Sequence, residues 1–238
     1  MVNPRAIFFD MDDTLLDGVA AMNAAWDAVC ADAAPGCACE PGFLRDAIRR
    51  EGAKFWADEA AVGHWRLDLD GARAIVVRNA LAAEGFDTAR AQEMSTTYAR
   101  LHREHLLPFE DAVPTLEALR GAGFSLGLLT NGPRPLQRDK IDRFGFGRYF
   151  DVIVIEGEFG RGKPEREVFA HALASVGAEA SEAWHIGDNL YADIAGAQSV
   201  GIHAAWIHRD RLQLKDGGPA IPDRVVAHLC DVTNALGL

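Results

Sequence analysis

Apolar and polar positions follow two different styles along this 238-residue chain. From Val19 to about residue 106 the apolar residues recur at helical spacing, as in Val19-Met22-Ala25-Trp26-Val29 and Ala74-Val77-Leu81, on a background rich in Ala, Arg, Glu and Leu. Pro35-Gly36, Pro41-Gly42 and Gly85 punctuate this stretch, which predicts an all-helical block. From residue 109 onward short apolar runs alternate with amphipathic segments. The pattern predicts a helix over 111–122, a strand over 124–129, a helix over 134–144 and a strand over 152–155. It continues with a helix over 165–176, a strand over 183–186, a helix over 190–199 and a strand over 202–207. A weaker strand over 224–227 precedes a short C-terminal helix.

Short, mostly apolar strands separated by helices indicate a parallel sheet buried on both faces. The run Ala6-Ile7-Phe8-Phe9 belongs with these strands and not with the helical block that follows it. The expected fold is therefore α/β, a Rossmann-like parallel sheet with helices on both faces, carrying an inserted all-helical domain. The expected boundaries are 1–17 and 107–238 for the α/β core and 18–106 for the insertion, with Pro108 as a helix stop at the second joint.

Charge and composition narrow the function classes. Hydrophobic residues make up 49% and charged residues 25%, the balance of a globular domain and not of a disordered one. A net charge of -11 and a pI near 5.1 argue against nucleic acid and against a polybasic membrane anchor. An anionic small molecule stays open, because a bound cation reverses the sign locally. The start MVNPRAIFFD lacks the apolar stretch of a signal peptide, and no run reaches the roughly 20 apolar residues of a membrane span, so a cytoplasmic location is expected. Cys30, Cys37, Cys39 and Cys230 lack the spacing of a zinc site and read as reduced thiols. Either a monomer or a homodimer fits the sequence.

Ligands of an open α/β sheet bind beyond the carboxyl ends of its strands. There the chain places Asp10-Met11-Asp12-Asp13-Thr14, then Thr130-Asn131-Gly132, Lys163-Pro164-Glu165, and Gly187-Asp188-Asn189 followed by Asp193. The fifth strand leads into His208-Arg209-Asp210, which finds no place in a mechanism. Three carboxylates within four residues repel one another, and a divalent cation relieves that repulsion. Asp10, Asp12 and Asp188 offer hard oxygen ligands suited to Mg²⁺. Thr130 offers a hydroxyl and Lys163 a point positive charge for a phosphoryl group. Together they suit phosphoryl transfer, in which positioning and charge neutralisation do most of the catalysis. In an extended segment side chains two apart share a face, so Asp10 and Asp12 point together while Asp13 points away, to solvent or local hydrogen bonds.

In this order the motifs resemble the haloacid dehalogenase superfamily, most of whose members are phosphatases. D-x-D-x-T is Asp10 to Thr14, the Thr after the second strand is Thr130, the Lys is Lys163, and G-D-x4-D runs from Gly187-Asp188 to Asp193. The helical block has the place and style of the family's type-1 cap. The resemblance implies Asp10 as nucleophile through an aspartyl-phosphate and Asp12 as general acid–base. It implies Mg²⁺ held by the Asp10 carboxylate, the Asp12 carbonyl and Asp188, and phosphoryl oxygens held by Thr130 and Lys163. Asp193 orients Lys163 or a metal-bound water, with Asn131 as a substrate contact and Asn189 in support. Family dehalogenases lack a carboxylate at the position of Asp12, so its presence implies a phosphate-ester hydrolase or a sugar phosphomutase. A non-catalytic binding protein on this fold is the third alternative. Asp13 stands where the family often has Gly.

The expected substrate is a small phosphorylated metabolite such as a nucleotide or sugar phosphate. The wording of LLTNGP and GDN is nearest to members acting on nucleoside monophosphates and acylneuraminate phosphates. Candidate contacts from the insertion are Arg45, Arg49, Lys54, Trp56, His64 and Arg66, with Lys54 and Trp56 foremost. His102 and His105, three apart with no third ligand, read as surface histidines.

Overall fold

The structure is a computed structural model that describes residues 4–209 and 220–238, without the side chains of residues 59 and 60. It divides into two compact units, Met1–Asp17 with Pro108–Leu238, and Gly18–Leu107. The second joint falls one residue beyond the expected 106, immediately before Pro108.

Strand β1 (Ala6–Phe9) opens the first unit. The helical unit follows with α1 (Gly18–Cys37), α2 (Pro41–Ala57), α3 (Glu59–Trp65), α4 (Leu69–Ala83) and α5 (Ala91–His105). The first unit then resumes with α6 (Ala112–Gly121), β2 (Ser125–Thr130), α7 (Arg134–Arg143), β3 (Val152–Ile155), α8 (Glu156–Phe159) and α9 (Arg166–Val176). It ends with β4 (Ala183–Gly187), α10 (Gly196–Ser199), β5 (His203–Ile207), β6 (Arg224–Val226) and α11 (Cys230–Leu236).

Among the described residues the strands form one sheet in the order β3-β2-β1-β4-β5-β6, every pairing parallel. All four residues of β1 are buried, which is why its run is continuously apolar instead of alternating. Phe9 is in register with Leu128 of β2 on one side and Ile186 of β4 on the other. The chain order reverses at β1: β2 and β3 lie to one side, β4 to β6 to the other. A crevice opens at such a switch point, beyond the carboxyl ends of the strands. The ends of β1, β2 and β4 are therefore neighbours.

The helix expected over 190–199 begins instead as a π-turn, Leu190–Ala195, before α10. The cause is local. The Asn189 carbonyl accepts from the amides of both Asp193 and Ile194, at 2.9 and 3.2 Å, while its side-chain Oδ1 accepts from Tyr191 and Ala192. The extra residue in the turn leaves Asp193 buried.

The helical unit has its own core, built from Ala25 and Val29 of α1, Leu44 and Ile48 of α2, Val77 and Leu81 of α4, and Met94 and Tyr98 of α5. Trp26 packs on Tyr98 with ring centroids 4.2 Å apart, and the Arg73 guanidinium lies 4.6 Å from the Tyr98 ring centroid. Among the described residues no helix is long and apolar enough to cross a membrane.

Gly127 sits in β2 where the sheet leaves no room for a side chain. A methyl there would lie 2.6 Å from Phe8 Cδ1 and 2.9 Å from Val152 Cγ1. Gly127→Ala is expected to destabilise the chain by about 1–3 kcal/mol through overpacking. The measurement is the urea midpoint at unchanged m-value, and an unshifted midpoint contradicts this packing.

Candidate active site

Three strand ends deliver the central group. Asp10 follows β1, and its amide donates to Ile186 O at 2.9 Å, which extends the ladder with β4 by one residue. Lys163 lies in the loop between α8 and α9. Its backbone is fixed by Asn131 at the end of β2: the Asn131 amide nitrogen donates to Lys163 O at 2.8 Å, and Lys163 N donates to Asn131 Oδ1 at 2.7 Å. The Lys163 ammonium then donates to Asp10 Oδ1 at 2.5 Å and to Asp193 Oδ1 at 2.6 Å. All three side chains are buried.

Asp193 is itself held from two further directions. The amide of Asn189 donates to its Oδ2 at 3.0 Å, and His185 Nε2 lies 2.9 Å from its Oδ1. A carboxylate only accepts, so His185 carries its proton on Nε2. Burial lowers the His185 pKa, with the Asp193 bond opposing, and the ring is neutral. Burial would also raise the pKa of Asp193, but Lys163 and His185 overcome it and hold that carboxyl below the usual range. Lys163, for its part, is pushed down by burial and more than restored by Asp10 and Asp193.

The other two carboxyls are left short of positive charge. One oxygen each of Asp10, Asp188 and Asp193 lie within 4.8 Å of one another. Burial raises the Asp10 pKa to about 7 against the pull of Lys163, with Asp193 and Asp12 adding to the rise. Burial raises Asp188 to about 8, with the charges of Asp10, Asp193 and Asp13 behind it. Crowded carboxylates that resist ionisation are the signature of a site completed by a cation, and an all-oxygen donor set fits Mg²⁺.

Asp12 faces a different environment. Its carboxylate accepts from Lys140 Nζ at 2.7 Å on Oδ1 and 2.8 Å on Oδ2, and from Gln137 Nε2 at 2.9 Å. The same Gln137 nitrogen lies 2.5 Å from Thr130 Oγ1 and 2.9 Å from Asn131 O. The Asp12 carboxylate is thus turned to α7 and stands outside the cluster of Asp10, Asp188 and Asp193.

Several expectations change here. Asn131, expected as a substrate contact, has each end of its amide bonded to the Lys163 backbone and so fixes that loop. Asn189 is a cap for the turn that carries Asp193. Asp13 does not simply point away: the chain leaves the extended conformation at this residue, with φ at 60°, and its charge is felt at Asp188. A left-handed residue favours Gly or a short polar side chain, so Asp is suited to this position. Arg209 is structural, stacked 3.5 Å from the Phe109 ring centroid and paired with Asp111 at 3.0 Å; Asp210 lies outside the described residues.

In the helical unit Lys54 pairs with Glu51 at 2.5 Å, and Trp56 is exposed with its ring edge-on to Phe55. Arg45 is engaged by Asp27 and Asn23, and Arg49 lies 3.5 Å from Asp46. His64 packs edge-on to Trp65, and His102 stacks on Tyr98.

Four residues escape the sequence reading. Gln137 and Lys140 lie on a mostly polar helix, RPLQRDKIDR, in which only Leu136 and Ile141 suggest an inward face and nothing marks these two polar residues as buried. Glu156 accepts from the Gly132 amide at 3.0 Å and fixes the turn after Thr130. Only His185 leaves a trace, as the one ionisable residue inside an otherwise apolar strand.

The chain is similar to known proteins. The chain is 32% identical to the phosphoserine phosphatase of Thermus thermophilus, over 96% of this chain and 97% of that one. The HAD-hydrolase YfnB of Bacillus subtilis, solved bound to magnesium, superposes with a TM-score of 0.78 at 23% identity, over 99% of this chain and all of that one. A 2-haloacid dehalogenase from Pseudomonas syringae superposes at 0.63 with 27% identity, over all of this chain and 99% of that one. The model of the haloacid dehalogenase-like hydrolases matches residues 4–201, from the strand ahead of Asp10 past the turn that carries Asp193, and the chain belongs to that family.

Proposed function

We propose that the chain is a Mg²⁺-dependent phosphatase that hydrolyses small phosphate monoesters through an aspartyl-phosphate on Asp10. The observation that carries this reading is the buried ammonium of Lys163 between Asp10 and Asp193, with Asp188 beside them, at the switch point of the sheet. Asp10 attacks phosphorus and the bond to the leaving oxygen breaks. Asp12, protonated at the outset, gives that oxygen its proton and then takes one from the water that attacks the aspartyl-phosphate, so that phosphate leaves, Asp10 is a carboxylate again and Asp12 has its proton back. Thr130 and Lys163 hold the phosphoryl oxygens. Asp10, Asp188 and the carbonyl of Asp12 would hold Mg²⁺, whose charge would favour the phosphoryl group and its transition state. Lys54 and Trp56 are the proposed contacts for the leaving group. The phosphoserine phosphatase relative supports a phosphate monoester as substrate.

A dehalogenase is disfavoured by Asp12, since a halide leaves without a proton. The direct test is phosphate release from a panel of metabolite phosphates with Mg²⁺ and with EDTA. Release that depends on Mg²⁺ is expected. Chloride release from a 2-chloroacid, with no phosphate from any ester, would overturn the reading.

Two substitutions test the roles. Asp10→Asn should remove turnover with little loss in the melting temperature of the metal-free chain, because the change is nearly isosteric and an amide oxygen there still accepts from Lys163. Asp13→Gly should keep the rate within about two- to threefold, since φ at 60° suits Gly. Normal turnover by the first variant, or its loss in the second, contradicts these assignments.

The raised carboxyls also predict a pH effect. Asp10 and Asp188 keep protons in the folded, metal-free chain up to about pH 7 and 8, against 3.8 when unfolded. The folded state therefore binds more protons than the unfolded chain from about pH 4 to pH 8, and its stability falls as pH rises across that span and levels off above it. With EDTA the melting temperature should drop over that interval, and Mg²⁺ should abolish the drop. A flat metal-free profile would show that these carboxyls are not crowded.

A further inference from the structure

Lys140 and Gln137 have no part in the reaction as described, yet both are buried, beside Ile141, in a helix that is mostly polar. They stand three residues apart on one face of α7, and they are joined: Lys140 Nζ donates to Gln137 Oε1 at 2.8 Å. Because an ammonium only donates, that contact fixes which end of the Gln137 amide is oxygen, and so fixes that its nitrogen faces Asp12 and Thr130.

We infer that Lys140 and Gln137 are positioning residues for the proposed acid–base Asp12, locking its carboxylate beside Thr130. The inference rests on the phosphatase reading above. One ammonium meets both oxygens of Asp12, at 2.7 and 2.8 Å, which stops the carboxylate from rotating. The Gln137 nitrogen ties Oδ2 to Thr130 Oγ1, so the second aspartate and the phosphoryl-binding hydroxyl share one donor. That bond has a second consequence. Thr130 Oγ1 accepts from Gln137, so its own hydrogen is left to point elsewhere, and a phosphoryl oxygen is the acceptor its role requires. A surface ion pair would do none of this: exposed lysines swing freely and contribute little, whereas Lys140 is buried and its ammonium bonds converge on Asp12 and on the residue that holds Asp12.

The consequence is read in the leaving group. Proton donation matters most for a poor leaving group such as an alkoxide and least for a good one such as p-nitrophenolate. With the full chain and Mg²⁺, Lys140→Met should lower kcat/KM about 10²-fold on the alkyl phosphate that the wild type turns over fastest, and by less than about fivefold on p-nitrophenyl phosphate. In an Asp12→Asn background, Lys140→Met should cost nothing further on p-nitrophenyl phosphate, because residues that act as a unit are not additive. Equal losses on both esters, no loss on either, or a full additional loss in the Asp12→Asn background would each overturn the positioning role while leaving the phosphatase intact. If Lys140→Met does not fold, Gln137→Met decides by the same ratio of esters: a selective loss on the alkyl ester supports the role and an unselective one overturns it. Wild-type chain inactive on every ester overturns the phosphatase reading itself, and this inference with it.

Discussion

The ammonium of Lys163 lies out of water between the carboxylates of Asp10 and Asp193, and the ends of three strands are fixed by that contact. A buried ammonium without partners costs several kcal/mol, so the side chain has one acceptable place. Its backbone is held by Asn131 at the end of β2, its tip by Asp10 after β1 and by Asp193 after β4. The arrangement reaches into the sheet itself. A methyl at Gly187, the last residue of β4, would lie 2.3 Å from Asp193 Cγ, so only glycine lets that carboxylate reach Lys163. His185 then occupies the remaining side of Asp193 as a neutral donor, which adds a hydrogen bond without a second positive charge.

One lysine cannot satisfy three carboxylates. Asp193, with a neutral donor and a cation against it, takes the ionised share and is held below the usual range. Asp10 and Asp188 are left with raised pKa values of about 7 and 8. The difference comes from geometry and not from residue type. Asp193 is enclosed by donors, whereas Asp188 meets mostly burial and like charge. A divalent cation fits the place where donors are missing, and that also answers how a chain of net charge -11 can receive an anionic substrate: the positive charge it needs is local.

The strands and the residues at their ends are legible in the sequence because a parallel sheet buried on both faces writes each strand as an apolar run, and whatever follows the run is at the crevice. Asp10, Thr130, Lys163 and Asp188 are found that way. The turn around Asp13 is not, since the alternation that pairs Asp10 with Asp12 holds only while the backbone stays extended, and a residue at φ 60° breaks it. The π-turn at Leu190–Ala195 escapes for a similar reason: helical periodicity does not register one inserted residue. Gln137 and Lys140 are the plainest case. Seven of the ten residues of α7 are Arg, Gln, Asp or Lys, so the helix reads as solvated, and only the fold shows that Gln137 and Lys140 turn inward beside Ile141.

Two buried polar networks thus meet on a single dipeptide step. One joins Lys163, Asp10, Asp193 and His185; the other joins Lys140, Gln137, Asp12 and Thr130. Between Asp10 and Asp12 stands Met11, fully buried, with its carbonyl accepting from the amides of Leu15 and Leu16 at 2.9 and 3.0 Å. Met11 therefore anchors the step from the opposite side, and the two carboxylates cannot drift relative to each other. Their surroundings nevertheless differ in kind. Asp10 shares its ammonium with Asp193 in a cluster of like charges, while Asp12 has an ammonium that no other carboxylate holds and a share of the Gln137 amide. The roles proposed for these two aspartates, one bonding to phosphorus and the other carrying a proton, need such separate environments, because identical surroundings would give them identical chemistry.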